Sequence, residues 1–597
     1  MDHINRPKKA GNVSKRVFYL SMQALLNAVL VGFVAKGLVL LISLFTNLSF
    51  YGKFSFEERG PAGNQLGWTV VLVPIIGSII VGLMARFGSK AIRGHGIPEA
   101  MENIILNESR IPPVITLLKP LSAAISIGTG GPFGAEGPII ATGGAMGSFT
   151  GQVIHISSAE RKVLLAAGAC AGMSAIFGSP LAAILLAIEL LLFEFSPRSV
   201  IPVALSCITG AGMHLLLFGN DPVFAMPEIP VVSDRALIVY VLMGAGIGVV
   251  AALVSRSVYW VEDLFERLPL HWMWWPAIGA VVVGVIGYFA PHTMGVGYDN
   301  IKTLLTGQAA LSLILSLCVL KYLSWVMSLG SGTSGGTLAP LFTIGGALGA
   351  LIGVGVLHWF PGSDINLATA ALIGMAAMFA GASRALLTAI VFALETTGQP
   401  HGLLPLIGAC TTAYFVSFFL MKGSIMTEKI RRRGVTAPDE YTPDVLQQLN
   451  ASMVLVQPSL MVSGSLTVAQ VSMLLDNHSY YHRHLLVTDA AGRFTGYLDR
   501  EKLTGHDNIT VDKLMPAAAP FVWEDDDITL AAQLLERYQL SVLAVMRQEE
   551  LSGMMTADAV LRAYSSRQRE SARYHSAFFG NTRLLRLMAR GKRLLAR

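Results

Sequence analysis

Charge is what this chain is short of. Of its 597 residues only 14% are Asp, Glu, Lys or Arg, where a soluble globular protein has about a quarter. That shortage excludes an ordinary water-soluble protein over most of the length. Cysteine is scarce as well. Cys170, Cys207, Cys318 and Cys410 lie far apart, each inside an apolar run; they make no CxxC motif and no disulfide framework, which leaves buried thiols. No HExxH and no GxxxxGK[ST] occurs, so a zinc protease and a P-loop ATPase find no support. The formal charge of +6 is modest and lies mainly at the two ends, a sign of membrane topology and not of nucleic-acid binding.

What the chain has instead is apolar length: 53% hydrophobic residues and 60 glycines, a composition suited to close helix packing in lipid. A polar, basic start (1–16, with Arg6, Lys8, Lys9, Lys15 and Arg16) precedes an apolar run over 17–48. That run is too long for a cleavable signal, so it predicts a retained helix whose start is cytoplasmic. Further runs cover 66–86, 112–127, 162–193, 201–218, 237–258, 272–290, 309–329, 338–360, 365–394 and 403–421. Several differ from the ~20 residues of a simple span, which predicts tilted and broken helices. The basic run KIRRR (429–433) closes the region as a cytoplasmic exit.

Inside this region GTGGPFGAEGP (128–138) sets Glu136 between Gly134, Gly137 and Pro138. An ionisable residue within apolar sequence is a functional-site hypothesis by default. Glycines let backbone N–H groups face a ligand, and Pro138 suits a first helical turn. The pattern predicts a helix N-terminus aimed at an anion, with Glu136 competing for its place. The alternative is a glycine-rich packing seam carrying a stray acid. A second copy, GSGTSGGTLAPLFTIGGALG (330–349), favours the ion site. It matches 128–147 without a gap at a constant offset, Gly128 to Gly330, Gly134 to Gly336, Pro138 to Pro340 and Gly147 to Gly349. Paired Gly/Pro-interrupted apolar segments in two halves point to a transporter's central site. The second copy has Leu338 where the first has Glu136, so this site has two backbone walls and one carboxylate.

From about Gly434 the sequence is soluble in character, with two similar βαβ-like modules. The first ends HRHLLVTDAAGRFTGYLDREKL (482–503), the second SVLAVMRQEELSGMMTADAVL (541–561). A last stretch, 573–597, alternates arginines with leucines; it is a solvated tail or an amphipathic surface helix.

These motifs carry a family resemblance. GHGIPE from Gly94, GAEGP from Gly134 and GTLAP from Gly336, with GVGYD (295–299) and SPLAAILLAIE (179–189), resemble the CLC chloride channels and chloride/proton exchangers in order and spacing. The distal modules resemble a CBS pair. The resemblance implies a helical polytopic membrane protein of two inverted-topology repeats over 17–434, a CBS pair over 435–567 and a basic tail over 568–597. It implies a homodimer in a lipid bilayer, expected in a bacterial inner membrane with both termini cytoplasmic, and not an enzyme. Chloride is the expected cargo, with no cofactor and no metal.

Carried over residue by residue, the resemblance makes Glu136 the gating glutamate. It walls the anion site with Gly94, His95, Gly96, Ile97 and Pro98, with Gly134, Ala135 and Gly137, and with Gly336, Thr337, Leu338 and Met426; the N–H groups of Thr337 and Leu338 hold the central ion. Helix N-termini of about half a positive charge each attract an anion without locking it in a salt bridge. Three departures stand out: His95 in place of a serine, Met426 in place of a tyrosine, and Leu190 after Glu189 where exchangers often carry an inner acid. Leu190 cannot carry a proton, so the expectation is a gated chloride channel, with a proton-coupled exchanger as the alternative. A CBS-regulated carrier of another solute is a third reading. An intramembrane serine protease is the remote one, from GTSG (332–335) and His358. In the CBS-like pair, Asp499 and Lys502 stand where nucleotide binders have threonine and aspartate, and Ala559 follows Thr556 with Asp558 one place early. Adenine-nucleotide binding is therefore expected to be weak or absent.

Overall fold

In lipid every backbone polar group must be satisfied within the chain, so apolar segments of this length become helices. The computed structural model describes residues 13–435, 449–458, 460–477, 482–503, 508–516, 519–548 and 550–566. The expected tail (568–597) and the first twelve residues of the basic start lie outside them. The chain divides into two units, Ser14–Tyr441 and Thr442–Arg597 with Met1–Val13.

The larger unit holds, in order, α1 (Val13–Tyr51), α2 (Leu72–Phe87), α3 (Ile97–Leu106), α4 (Ile115–Gly128), α5 (Glu136–Val153), α6 (Ser158–Phe177), α7 (Pro180–Leu186), α8 (Pro197–Leu217) and α9 (Asp234–Glu266). It continues with α10 (Trp275–Phe289), α11 (Tyr298–Leu305), α12 (Leu311–Gly330), α13 (Leu338–Trp359), α14 (Leu367–Ser383), α15 (Leu386–Thr397), α16 (Leu403–Leu420) and α17 (Glu428–Arg432). Among the described residues eight helices are long and apolar enough to cross a membrane. At 1.5 Å per residue the 39 residues of α1 reach about 58 Å, well beyond a ~30 Å hydrocarbon core. Such a helix must tilt or protrude.

Two of the apolar runs are broken at matching places. The run over 162–193 stops where Gly178 enters the left-handed region (φ 60°), and Pro180 opens α7. The run over 365–394 stops at Arg384 (φ 62°) before α15. The two short helices are then tied to each other. The Glu189 carboxylate, in the π-turn that follows α7, accepts the N–H groups of Leu387 and Thr388, both at 2.9 Å, and the Thr388 hydroxyl at 2.6 Å. The Glu395 carboxylate accepts those of Leu181 and Ala182, at 2.9 and 2.8 Å, at the start of α7. Each acid satisfies orphan donors of the other helix's first turn and meets its positive end. Tight helix pairing also repeats: a Cβ on Gly143 of α5 would lie 2.2 Å from Gly168 O of α6, and one on Gly345 of α13 2.5 Å from Gly374 O of α14. Only small residues permit such approach.

The smaller unit contains β1 (Met461–Ser463), α18 (Val468–Asn477), β2 (His484–Thr488), β3 (Phe494–Asp499), β4 (Phe521–Trp523), α19 (Ile528–Arg537), β5 (Val542–Arg547) and β6 (Glu550–Thr556). Its two sheets have orders β1-β2-β3 and β4-β5-β6, each with a parallel then an antiparallel pair. Each second strand carries a register shift, at Val487/Thr488 and Val545/Met546. The modules share a bond: the Tyr497 hydroxyl donates to Pro520 O (2.6 Å) and accepts from Ala544 N–H (2.9 Å). Asp499 is engaged by Arg483 at 2.8 Å, and that guanidinium holds its carboxyl below the ordinary range. The Thr556 hydroxyl caps its own following turn at Ala559 N–H, 3.1 Å.

Candidate functional site

Three glycine-bearing loops, each leading into a helix, are stitched together deep in the larger unit. Gly94 N–H donates to Thr333 O (3.0 Å) and Gly335 N–H to Gly94 O (3.4 Å). Gly336 and Gly134 exchange N–H···O bonds of 3.1 and 3.4 Å. The starts of α3, α5 and α13 thus converge, and with them the positive ends of three helices. Glycine is required here by contact: a Cβ on Gly96 (φ 99°) would lie 2.1 Å from Gly137 O, and one on Gly137 2.2 Å from His95 O.

Glu136 opens α5 and is wholly buried. Its Oε1 accepts the Ala339 N–H at 2.7 Å, with the Leu338 N–H also turned toward the carboxylate. The Tyr298 hydroxyl donates to its Oε2 at 3.3 Å. The carboxylate therefore sits where an anion bound to the start of α13 would sit. Nearby, His95 Nδ1 and the hydroxyls of Thr333 and Thr337 are buried with no partner among the described residues. Buried polar groups of this kind ordinarily find a partner, a water or an ion included. Gly94, His95, Gly96, Ile97, Pro98, Gly134, Ala135, Gly137, Gly336, Thr337 and Leu338 all belong to these loops and first turns. Met426 is held on another turn, where its N–H donates to Ser424 Oγ (3.2 Å) and the adjacent Ile425 N–H to Ala382 O (2.9 Å).

Two buried cations escaped the sequence reading. Lys119 Nζ donates to Ile92 O and Gly94 O, both at 2.8 Å. Lys321 Nζ donates to Thr293 O and Gly295 O, both at 2.9 Å. Each pins a Gly-x-Gly loop that opens a short helix, α3 in one half and α11 in the other. The signal was present: KPLS from Lys119 and KYLS from Lys321 are lone lysines in apolar runs at the offset that relates Gly128 to Gly330. The basic run 429–433 is also more than an exit marker. Lys429 pairs with Glu99 (2.7 Å), Arg432 with Asp263 and Arg433 with Glu102. Glu99 meanwhile accepts the Gly96 N–H at 2.6 Å, so one carboxylate joins α17 to the His95 loop.

The protease reading finds no geometry. Ser334 Oγ lies 3.1 Å from Ser122 Oγ. His358 is on the last turn of α13, about 30 Å along the helix from the loop that holds Ser334. That is far beyond hydrogen-bond reach of a nucleophile.

The family described as "Voltage gated chloride channel" matches residues 76–418. A protein of Yersinia pestis named H(+)/Cl(-) exchange transporter ClcA is 31% identical over 379 residues, 61% of this chain and 78% of the relative. A putative chloride channel protein, ClcB-like, of Ralstonia nicotianae is 27% identical over 369 residues, 61% of this chain and 86% of the relative. Among solved structures, a slow cyanobacterial Cl−/H+ antiporter superposes with TM-score 0.61 at 24% identity, covering 69% of this chain and 98% of its own. A eukaryotic CLC transporter superposes with TM-score 0.57 at 19% identity, covering 91% and 97%. These likenesses show the CLC transporter fold.

Proposed function

The chain belongs to the voltage-gated chloride channel family, and from that premise we propose that its larger unit exchanges chloride for protons across a membrane, with Glu136 as the group that both ions contend for. One observation carries the reading: the ionised side chain fills the anion seat at the start of α13, bonded to Ala339 N–H. Protonation removes the charge that holds it against the helix N-termini. The side chain then leaves, chloride takes the N–H groups of Leu338 and Ala339, and the departing acid carries a proton. Return of the carboxylate expels the ion. Chloride and proton thus alternate at one place, which is what coupling requires.

The expectation of a passive channel rested on Leu190. The relative named as an exchanger weighs the other way, and one missing acid is the weaker argument. Glu189 does not replace that acid, because its oxygens are taken by α15. In this reading water carries protons from the inner side to Glu136.

On the same footing we read the two halves as inverted-topology repeats, the assembly as a homodimer in a bacterial inner membrane, and 435–567 as a CBS pair. The repeated lysine-pinned loops and the reciprocal Glu189 and Glu395 contacts support the repeat, and the twice-repeated sheet supports the paired modules. Flux in liposomes tests the central claim. A chloride gradient should drive protons uphill in exchange; a reversal potential that follows chloride alone would return the protein to the channels.

A further inference from the structure

Glu136 has one side-chain partner among the described residues, Tyr298, and the exchange cycle above gives that residue no task. Tyr298 opens α11 directly after the loop that Lys321 pins at Thr293 O and Gly295 O. Its ring is wedged edge-on against Phe177 and Phe224, with centroids 6.0 and 5.7 Å away. In the other half the residue at the matching place, after Gly94-His95-Gly96, is the apolar Ile97. The hydroxyl is thus a feature of one half only, and it is held where it stands by packing and by a pinned loop.

We propose that the Tyr298 hydroxyl is a ligand of the transported anion. Resting on the exchange reading, the step is a replacement of one acceptor by another. When the Glu136 side chain withdraws, its Oε1 and Oε2 leave two donors behind, the Ala339 N–H and the Tyr298 O–H. Neither donor can follow, because one is helix backbone and the other belongs to a wedged ring. A small monovalent halide offers a single charged acceptor to both. Leaving either donor without an acceptor is expensive, whereas a bond to an ion is among the strong ones. The Tyr298 hydroxyl bonds a wholly buried carboxylate, so both donors line the same buried seat. The other charges that face the pair are Lys321, from α12, and Glu58, from the loop after α1; both are constant in the test below.

The test compares Glu136→Gln with Glu136→Gln/Tyr298→Phe in the full-length protein, titrating chloride by calorimetry. The amide background removes the competing charge, and phenylalanine keeps the ring packing. Chloride binding should weaken about tenfold in the double variant, the lower range for one hydrogen bond to a charged group. Equal affinities, with the unmutated protein still moving chloride in liposomes, would overturn the role of Tyr298 and leave the exchange reading standing. An unmutated protein that moves no chloride would overturn both. Should the double variant fail to fold, crystals of Glu136→Gln soaked in bromide decide the matter. The anomalous peak should lie within hydrogen-bond reach of Tyr298 Oη, and a peak bound only elsewhere would sink the proposal.

Discussion

Replacing Glu136 by glutamine should uncouple chloride from protons. The native carboxylate accepts the Ala339 N–H and the Tyr298 O–H while ionised. Hydrogen bonds to a charged group contribute about 1.5–3 kcal/mol each, neutral ones about 1 kcal/mol. An amide of the same shape offers one oxygen to one of these donors and sets an NH2 donor against the other. The occupied seat therefore loses at least about 2 kcal/mol, roughly a 30-fold drop in its population. Chloride should then enter without waiting for a proton. The sign of the pH effect follows: in the native protein flux rises as pH falls, because only protonation releases the carboxylate. The variant has nothing to protonate there, so its flux should vary little with pH. The assay is a proteoliposome loaded with chloride, followed by a chloride electrode and a pH electrode together. Native protein should move protons uphill as chloride leaves, whereas the variant should move chloride alone. Uphill proton movement by Glu136→Gln, or a flux that keeps the native pH profile, would refute the reasoning.

Other outcomes follow from the same structure. Glu395→Gln weakens the bonds from Leu181 and Ala182 N–H, so thermal unfolding should come earlier by about 1–3 kcal/mol of stability with coupling intact; an unchanged melting curve would argue that the tie between α7 and α15 is idle. Ser334→Ala should keep chloride flux within a few-fold of native, since the hydroxyl's bond is to another small hydroxyl, that of Ser122; loss of a peptide-cleaving activity in that variant would revive the protease. Calorimetry with ATP or AMP should show no micromolar binding, because Asp499 is paired with Arg483 and Thr556 caps its own turn; a saturable isotherm would overturn this. His95, buried with its Nδ1 unpartnered, should stay neutral because burial disfavours the protonated ring, so His95→Ser should leave the pH profile of chloride affinity unchanged; a profile that flattens in the variant would show that the ring titrates at the site.

The sequence by itself determined the membrane character and the two related halves, and it marked the glycine-bearing loops that the structure brings together. These rest on local chemistry: apolar runs must become helices in lipid, and glycine and proline at fixed offsets report backbone needs that any one loop already has. The break within each long run was foreshadowed by run length, though not its place, because a left-handed residue such as Arg384 carries no sequence mark. Only the tertiary structure decided which residues meet. Lys119 and Lys321 are single letters in apolar runs until the folded chain brings carbonyls of Gly94 and Gly295 to them. Glu189, next to Leu190 in the sequence, caps the start of a helix nearly two hundred residues later. Tyr298 reaches Glu136 only because α11 and α5 come together. Met426, aligned to the site by family pattern, is held by its turn at Ser424. Contacts between residues so far apart in the chain leave no periodicity to read, because burial partners are set by packing of whole helices and not by neighbours in sequence.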